Sequence, residues 1–381
     1  MSSSRLLYLS PVEIDSFAQR PHHFVHWFHE RHDAEVLWLN PYPARLPRWG
    51  DIARFKKNYR PRGLGPAWTK APWLQQLRLP ALPLEPLPLG RWINRWLWQQ
   101  ALSQIDRFVD AHTMLVFGKP CALALLLASR YPRQVKVFDV MDNVPAFSSG
   151  GSQRWLRQAE NALAERVDLL VTSATALKNK FASAGRPAIC IRNGLTLPAG
   201  AGALPRPVSA DGKLVFGYIG TIASWFDWDA VVELAQRYPD ALVRLIGPVE
   251  SPRSGLPANV ELLPAIPQHE VYSTLHSFSV GLIPFKIDEV TDYVDPVKYY
   301  EYRAMGLPVL STRFGEMRLR GAADHVLFME DLQGDIEWAV LIRAASAPTT
   351  VATFVHRHLW STRFDTLSSS LNEHHRFVCG G

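Results

Sequence analysis

Hydrophobic positions along this 381-residue chain follow two rhythms. Short apolar, β-branched runs alternate with stretches in which apolar residues recur every third or fourth position. The first pattern predicts strands and the second amphipathic helices. In the first half, strands are expected at 5–10, 35–40, 113–118, 135–140, 168–172 and 188–192, and helices at 19–31, 92–111, 122–129, 153–166 and 174–183. Residues 195–212 are rich in Pro, Gly and Ala without period, as a linker is. A second set follows, with strands at 214–219, 241–246, 260–263, 279–284, 308–311 and 326–329, and helices at 228–237, 269–277, 296–305, 336–345 and 350–372. Strands alternating with helices predict an α/β fold, here two doubly wound Rossmann-like domains on parallel sheets facing a cleft. The expected domains are 1–194 and 213–350, with 351–381 as a C-terminal helix returning to the first domain.

Composition supports two cores, because 47% of the residues are hydrophobic. No run approaches the roughly 20 apolar residues of a membrane span, and the start reads as a first strand rather than a signal peptide. Cys121, Cys190 and Cys379 are dispersed and odd in number, which suits a reducing cytoplasm. Net charge is +6 but uneven: residues 1–200 carry 26 Lys/Arg against 14 Asp/Glu, and the remainder 15 against 21. With no nucleic-acid motif present, the basic half points to anionic lipid or an acidic acceptor, or to a solvated basic surface. The segment 59–100 breaks the rhythm and holds Trp68, Trp73, Trp92, Trp96 and Trp98 beside Lys70, Arg78, Arg91 and Arg95. Trp with Arg suits the headgroup layer at the inner face of a membrane; a Pro-fixed insertion packed on its own domain is the alternative.

The most concentrated chemistry lies at 292–308. Asp295 is placed to cap a helix, Pro296 to begin it and Gly306 to end it. A helix start offers free N–H groups to a diphosphate, and Lys298 adds a cation. Glu301 lies one turn deeper on the same face and can accept from ribose hydroxyls. The ordinary alternative is a capped helix with a surface Lys–Glu pair. Gly220-Thr221 after a strand offers a second phosphate-contact turn, and Asp227 a cap rather than a metal ligand. Asp139 and Asp142 end a first-half strand, where a carboxylate can serve as general base or brace a turn. Gln19, Arg20, His22 and His23 open the first helix at the same edge. With His26, His29 and His32 they spread over successive helix faces, which disfavours a metal site.

The stretch from Ile283 through Asp295-Pro-Val-Lys-Tyr-Tyr-Glu-Tyr-Arg-Ala-Met-Gly-Leu-Pro-Val309 resembles the donor-site signature of GT-B-fold glycosyltransferases. It is most similar to family 4 and to bacterial exopolysaccharide and teichuronic-acid-type enzymes. Gln19-Arg20-Pro21, Phe138-Asp139-Val-Met-Asp142-Asn143, Asn193-Gly194 and Gly217-Tyr-Ile-Gly220-Thr221 agree in order and spacing. The resemblance implies a nucleotide-sugar donor, UDP-sugar favoured, contacted by Gly220, Thr221, Ile222, Gly247, Pro284, Asp295, Val297, Lys298 and Glu301. It implies Asp142 as base with Asp139 shaping its loop, and Gln19, Arg20, His22 and His23 toward a saccharide or polyprenyl-diphosphate-linked acceptor. No metal or cofactor is expected, since the nucleotide-sugar is a substrate. Two features depart from the pattern. The acid expected eight positions before Glu301, with seven residues between them, is replaced by Tyr293, with Asp292 one off. The loop 221–227 lacks the family's Arg and Lys, leaving Lys298 and the N–H groups of 220–222 to meet phosphate charge.

Rival readings are a nucleotide-sugar epimerase and a non-catalytic saccharide- or lipid-binding partner. A dinucleotide dehydrogenase would need G-x-G-x-x-G after an early strand, and no glycine precedes Gly50.

Overall fold

The computed structural model describes residues 4–44, 66–197, 213–267 and 270–368. The chain divides into two units, Met1–Ile191 and Arg192–Gly381. The expected linker therefore falls mostly at 198–212, outside the described residues, as does Cys379.

Unit 1 contains β1 (Arg5–Leu9), α1 (Arg20–His32), β2 (Glu35–Leu39), β3 (Leu74–Leu77), α2 (Pro88–Leu97), α3 (Gln99–Phe108), β4 (Thr113–Phe117), α4 (Ala122–Arg130), β5 (Lys136–Val140), α5 (Gly150–Ala164), β6 (Leu169–Thr172), α6 (Thr175–Ser183) and β7 (Ile189–Cys190). Its strands pair in parallel in the order β3-β2-β1-β4-β5-β6-β7. The middle strands β4 and β5 are buried along their whole length, as strands covered on both faces must be.

Unit 2 contains β8 (Val215–Ile219), α7 (Trp228–Arg237), β9 (Leu242–Ile246), β10 (Val260–Leu263), α8 (Val271–Leu275), β11 (Val280–Ile283), α9 (Val297–Ala304), β12 (Val309–Ser311), β13 (Val326–Phe328), α10 (Trp338–Ala345) and α11 (Pro348–His358). Its parallel order is β10-β9-β8-β11-β12-β13. Strand order reverses between β1 and β4 in one unit and between β8 and β11 in the other. Ligands of such sheets bind outside the carboxyl ends at these reversal points.

Three elements differ from expectation. The helix expected at 92–111 is two helices meeting at Trp98, whose ring is buried against Tyr42 at 5.4 Å. Strand β3 lies inside the supposed insertion; its polar Gln75 and Gln76 hid it from a search for apolar runs. The last helix ends at His358, because Leu359 turns extended to bridge Leu195, and helix resumes over 360–368. Within unit 2, Phe354 and His358 of α11 pack their rings on Tyr299 and Tyr300 of α9. The rest of the expected C-terminal helix, 369–381, lies outside the described residues.

α9 stands close over its sheet because Gly281 of β11 has no side chain. A Cβ there would lie 2.3 Å from the Tyr302 ring. Gly281→Ala should lower unfolding stability by about 1–3 kcal/mol, read as a lower denaturant midpoint with unchanged slope.

Candidate functional site

In unit 2 the chain brings the end of β8 and the start of α9 together. Gly220 follows β8 at φ +147°, and a Cβ on it would lie 2.6 Å from Lys298 Nζ. The ammonium therefore rides directly above the glycine. Gly247, after β9, is also at positive φ, and a Cβ there would lie 2.2 Å from the Gly220 carbonyl oxygen. Both glycines are required for this approach, since any side chain would separate the turns. Lys298 also lies 5.3 Å over the Tyr218 ring. Tyr302, one turn further along α9, accepts at its hydroxyl from the Ile219 N–H at 3.2 Å and holds the helix to the end of β8.

Lys298 and Glu301 are both half-buried. Burial pulls the Lys298 pKa down and pushes that of Glu301 up, and each charge partly offsets the shift of the other. Burial, with the Glu301 charge, also raises the Tyr272 hydroxyl, which donates to the Thr196 carbonyl at 2.8 Å. Among the described residues, neither Lys298 Nζ nor the Glu301 carboxyl has a hydrogen-bond or ion-pair partner.

Several expected donor contacts are rearranged. The Gly220 and Ile222 N–H groups donate to the Ile246 and Pro248 carbonyls at 2.8 Å each, extending the β8–β9 pairing into the loops. Of the three amides at 220–222, that of Thr221 alone has no acceptor among the described residues. The Pro284 carbonyl accepts from the Asp227 N–H at 2.8 Å. The cap of α9 is Pro296 rather than Asp295, and the helix starts at Val297. Asp295 is buried, accepting from the Asn193 N–H at 2.8 Å, the Tyr300 hydroxyl at 2.8 Å and Arg320 at 2.6 Å. Its carboxylate anchors the helix from below, a role its capping position in the sequence concealed. Asp292 is ion-paired with Arg318. Asp227 caps α7, accepting from the Asp229 and Ala230 N–H groups. What remains for an anion is the Lys298 ammonium, the Thr221 amide and the open first-turn amides of Val297 and Lys298.

In unit 1, Asp139 on β5 is buried, with its carboxylate forked by Arg20: Nε lies 2.9 Å and 3.1 Å from the two oxygens, and Nη2 2.9 Å from one. The Tyr8 hydroxyl donates to Asp139 at 3.2 Å, and Arg20 Nη1 to the Ile191 carbonyl at 2.7 Å. Arg20 thus ties α1 to the sheet instead of offering its guanidinium to an acceptor. His22 is buried with both ring nitrogens engaged, Nδ1 accepting from the Gln19 N–H at 3.2 Å and Nε2 facing the Ile14 carbonyl at 3.1 Å. Burial lowers its pKa, against the pull of its backbone hydrogen bonds. His23 is half-buried, and burial with its neighbours His22 and His26 lowers its pKa to about 3; Gln19 is exposed.

Asp142, beyond β5, is different. It is half-buried, its carboxyl has no partner among the described residues, and burial alone raises its pKa to about 6. Its loop is fixed from both sides. Ser173 donates to the Met141 carbonyl at 2.7 Å, and Lys180 to Asn143 at 2.9 Å and Glu160 at 2.5 Å. Lys180 sits far along the chain on α6, and no local motif pointed to it. A cavity of about 1050 Å³ lined by Arg237, Tyr238 and Asn259 opens at the amino ends of β8–β10, the edge opposite Gly220.

No family model matches the sequence. Over 211 residues the chain is 28% identical to TuaH of Bacillus subtilis (strain 168), named provisionally as a teichuronic acid biosynthesis glycosyltransferase; the match covers 49% of this chain and 52% of TuaH, so about half of that relative's length. HepE of Anabaena in complex with UDP and glucose superposes with a TM-score of 0.64 at 14% identity, covering 97% of this chain and 99% of HepE. Sucrose-phosphate synthase of Thermosynechococcus elongatus gives 0.61 at 12% identity over 99% of each chain. The fold is that of GT-B glycosyltransferases, as the motifs suggested.

Asp142 carries a charge at neutral pH that no described residue pairs. Because its folded pKa is raised from 3.8 to about 6, stability falls as pH rises through that window and stays reduced above it. Asp142→Asn should therefore stabilise the protein at pH 8 by about 1–2 kcal/mol. The gain should vanish near pH 3.5, as read from thermal melts at both pH values.

Proposed function

We propose that this chain is a glycosyltransferase moving a sugar from a UDP-sugar onto a lipid-linked or growing saccharide, such as a polyprenyl-diphosphate-linked one, in bacterial polysaccharide assembly. One observation carries the reading: the Lys298 ammonium, which senses the Glu301 charge but forms no ion pair among the described residues, rides over Gly220 beside the open start of α9. Donors gathered without an acceptor suit the oxygens of a diphosphate. The complex of HepE with UDP and the assignment of TuaH as a glycosyltransferase support the choice of donor.

In this reading the acceptor hydroxyl attacks the anomeric carbon, its proton passes to Asp142, and the bond from that carbon to the diphosphate oxygen breaks. Charge grows on the departing UDP, where Lys298 and the amides of Thr221, Val297 and Lys298 stabilise it. Glu301 accepts from the ribose hydroxyls. Asp139, held by Arg20, fixes the end of β5 that leads into the Asp142 loop, and Gln19 and His23 are the first-helix residues left to meet acceptor. The donor is a substrate, and the reading assigns no metal. The work belongs on the cytoplasmic side of the membrane that carries a lipid-linked acceptor.

Lys298→Ala should lower transfer by about 10²–10³-fold and remove the rise in melting temperature that UDP gives the wild type. An unchanged UDP shift in the variant would remove Lys298 from the site. The base predicts an acidic limb in kcat/KM with its midpoint at about 6. Asp142→Asn should lose transfer while keeping the UDP shift.

A further inference from the structure

The tryptophans of the segment 59–100 serve different ends. Trp68 and Trp73 pack on α1, with Trp73 stacked on His29 at 4.0 Å and Trp68 against His26 at 5.3 Å. Trp98 is buried against Tyr42. Trp92 and Trp96 do neither: they are 67% and 62% exposed, and Leu89 is 68% exposed. Spaced three and seven positions from Leu89, they share one face of α2.

On the inner side of that helix Gly90 and Asn94 are buried, with Ile93 and Leu97 half-buried. Gly90 packs so closely that a Cβ would lie 2.1 Å from the Leu84 carbonyl oxygen. Asn94 is buried, accepting from the Leu82 N–H at 2.7 Å and donating to the Leu82 carbonyl at 2.9 Å. The Leu89, Trp92 and Trp96 side faces out, with Leu82 and Leu87 also exposed nearby along the chain. The face is held firmly, since Trp98 anchors the end of α2 and the Arg91 guanidinium stacks 4.4 Å over Trp155. An outward apolar face of this kind marks an interaction site.

Charge selects the occupant. Among the described residues 66–105, Lys70, Arg78, Arg91 and Arg95 stand against a single acid, Glu85, whose side chain is buried. Arg95 is exposed on α2 beside the tryptophans and, among the described residues, pairs with nothing. Indole rings flanked by such an arginine, in a segment whose one carboxylate is buried, fit the boundary where lipid phosphates meet acyl chains. Among the described residues no single helix is long and apolar enough to cross a membrane, so α2 would lie in the interface plane.

We propose that the Leu89, Trp92 and Trp96 face of α2, with Arg95 at its side, seats unit 1 on the surface of an anionic lipid bilayer. The proposal stands on unit 1 alone and goes beyond the nucleotide reading. Its test is run without donor, so either reading can fail without the other.

Flotation of the full chain with phosphatidylglycerol-containing vesicles and with pure phosphatidylcholine vesicles tests it. The wild type should float with the anionic vesicles and remain behind with the neutral ones. The triple variant Leu89→Ser, Trp92→Ser, Trp96→Ser should bind anionic vesicles at least about tenfold more weakly with an unchanged circular dichroism spectrum and melting point. Arg95→Glu, which alters one exposed charge, should weaken binding in the same direction. Failure of the wild type to float, or equal flotation of the triple variant, would overturn the proposal. So would a lipid-free dimer of the wild type that the triple variant abolishes, since a second copy would then be the occupant of this face.

Discussion

The contact between Lys298 and Gly220 organises the end of β8 and the start of α9 in unit 2. It requires three backbone positions without side chains. Gly220 leaves room for the ammonium, Gly247 lets the neighbouring turn approach the Gly220 carbonyl, and Gly281 lets Tyr302 bring α9 down onto the sheet. Each close approach removes water from a cation that no anion meets among the described residues. Burial lowers the Lys298 pKa while Glu301 partly restores it.

The two carboxylates of the other unit show opposite solutions to burial. Asp139 is forked by Arg20 and bonded by Tyr8, and its charge serves the fold. Removing one partner of such a pair would leave an uncompensated charge. Asp142, three residues on, has no partner among the described residues, and desolvation shifts it toward neutrality. Two acids of the same chain segment are thereby divided between a paired, buried charge and an unpaired one shifted toward neutrality.

Much of this was legible in the residue pattern. The strand runs and the Gly306 stop read correctly because each depends on local periodicity or backbone conformation. Gly220 and Lys298 were each legible as candidates from a glycine after a strand and a cation in a helical first turn, but their approach to one another was not. The misread parts depended on distant partners. Asp295 looks like a cap until Arg320 and Asn193 take its oxygens. Arg20 and His22 look like acceptor ligands until Asp139 and Ile14 claim them. The Ile222 amide looks open until the loop after β9 pairs with it. Trp92 and Trp96 could not be separated from Trp68 and Trp73 by composition, because only packing decides which indole is covered.

A nucleotide held by unit 2 chiefly through its diphosphate, on Lys298 and the start of α9, should lose most of its affinity when the phosphates are removed. Calorimetric titration of UDP beside uridine, in the wild type and in Lys298→Met, isolates that contribution from the base and ribose. The wild type should bind UDP at least about 100-fold more tightly than uridine, and most of this preference should disappear in the variant. Equal affinity for UDP and uridine in the wild type, or an undiminished preference in Lys298→Met, would show that Lys298 does not hold the diphosphate.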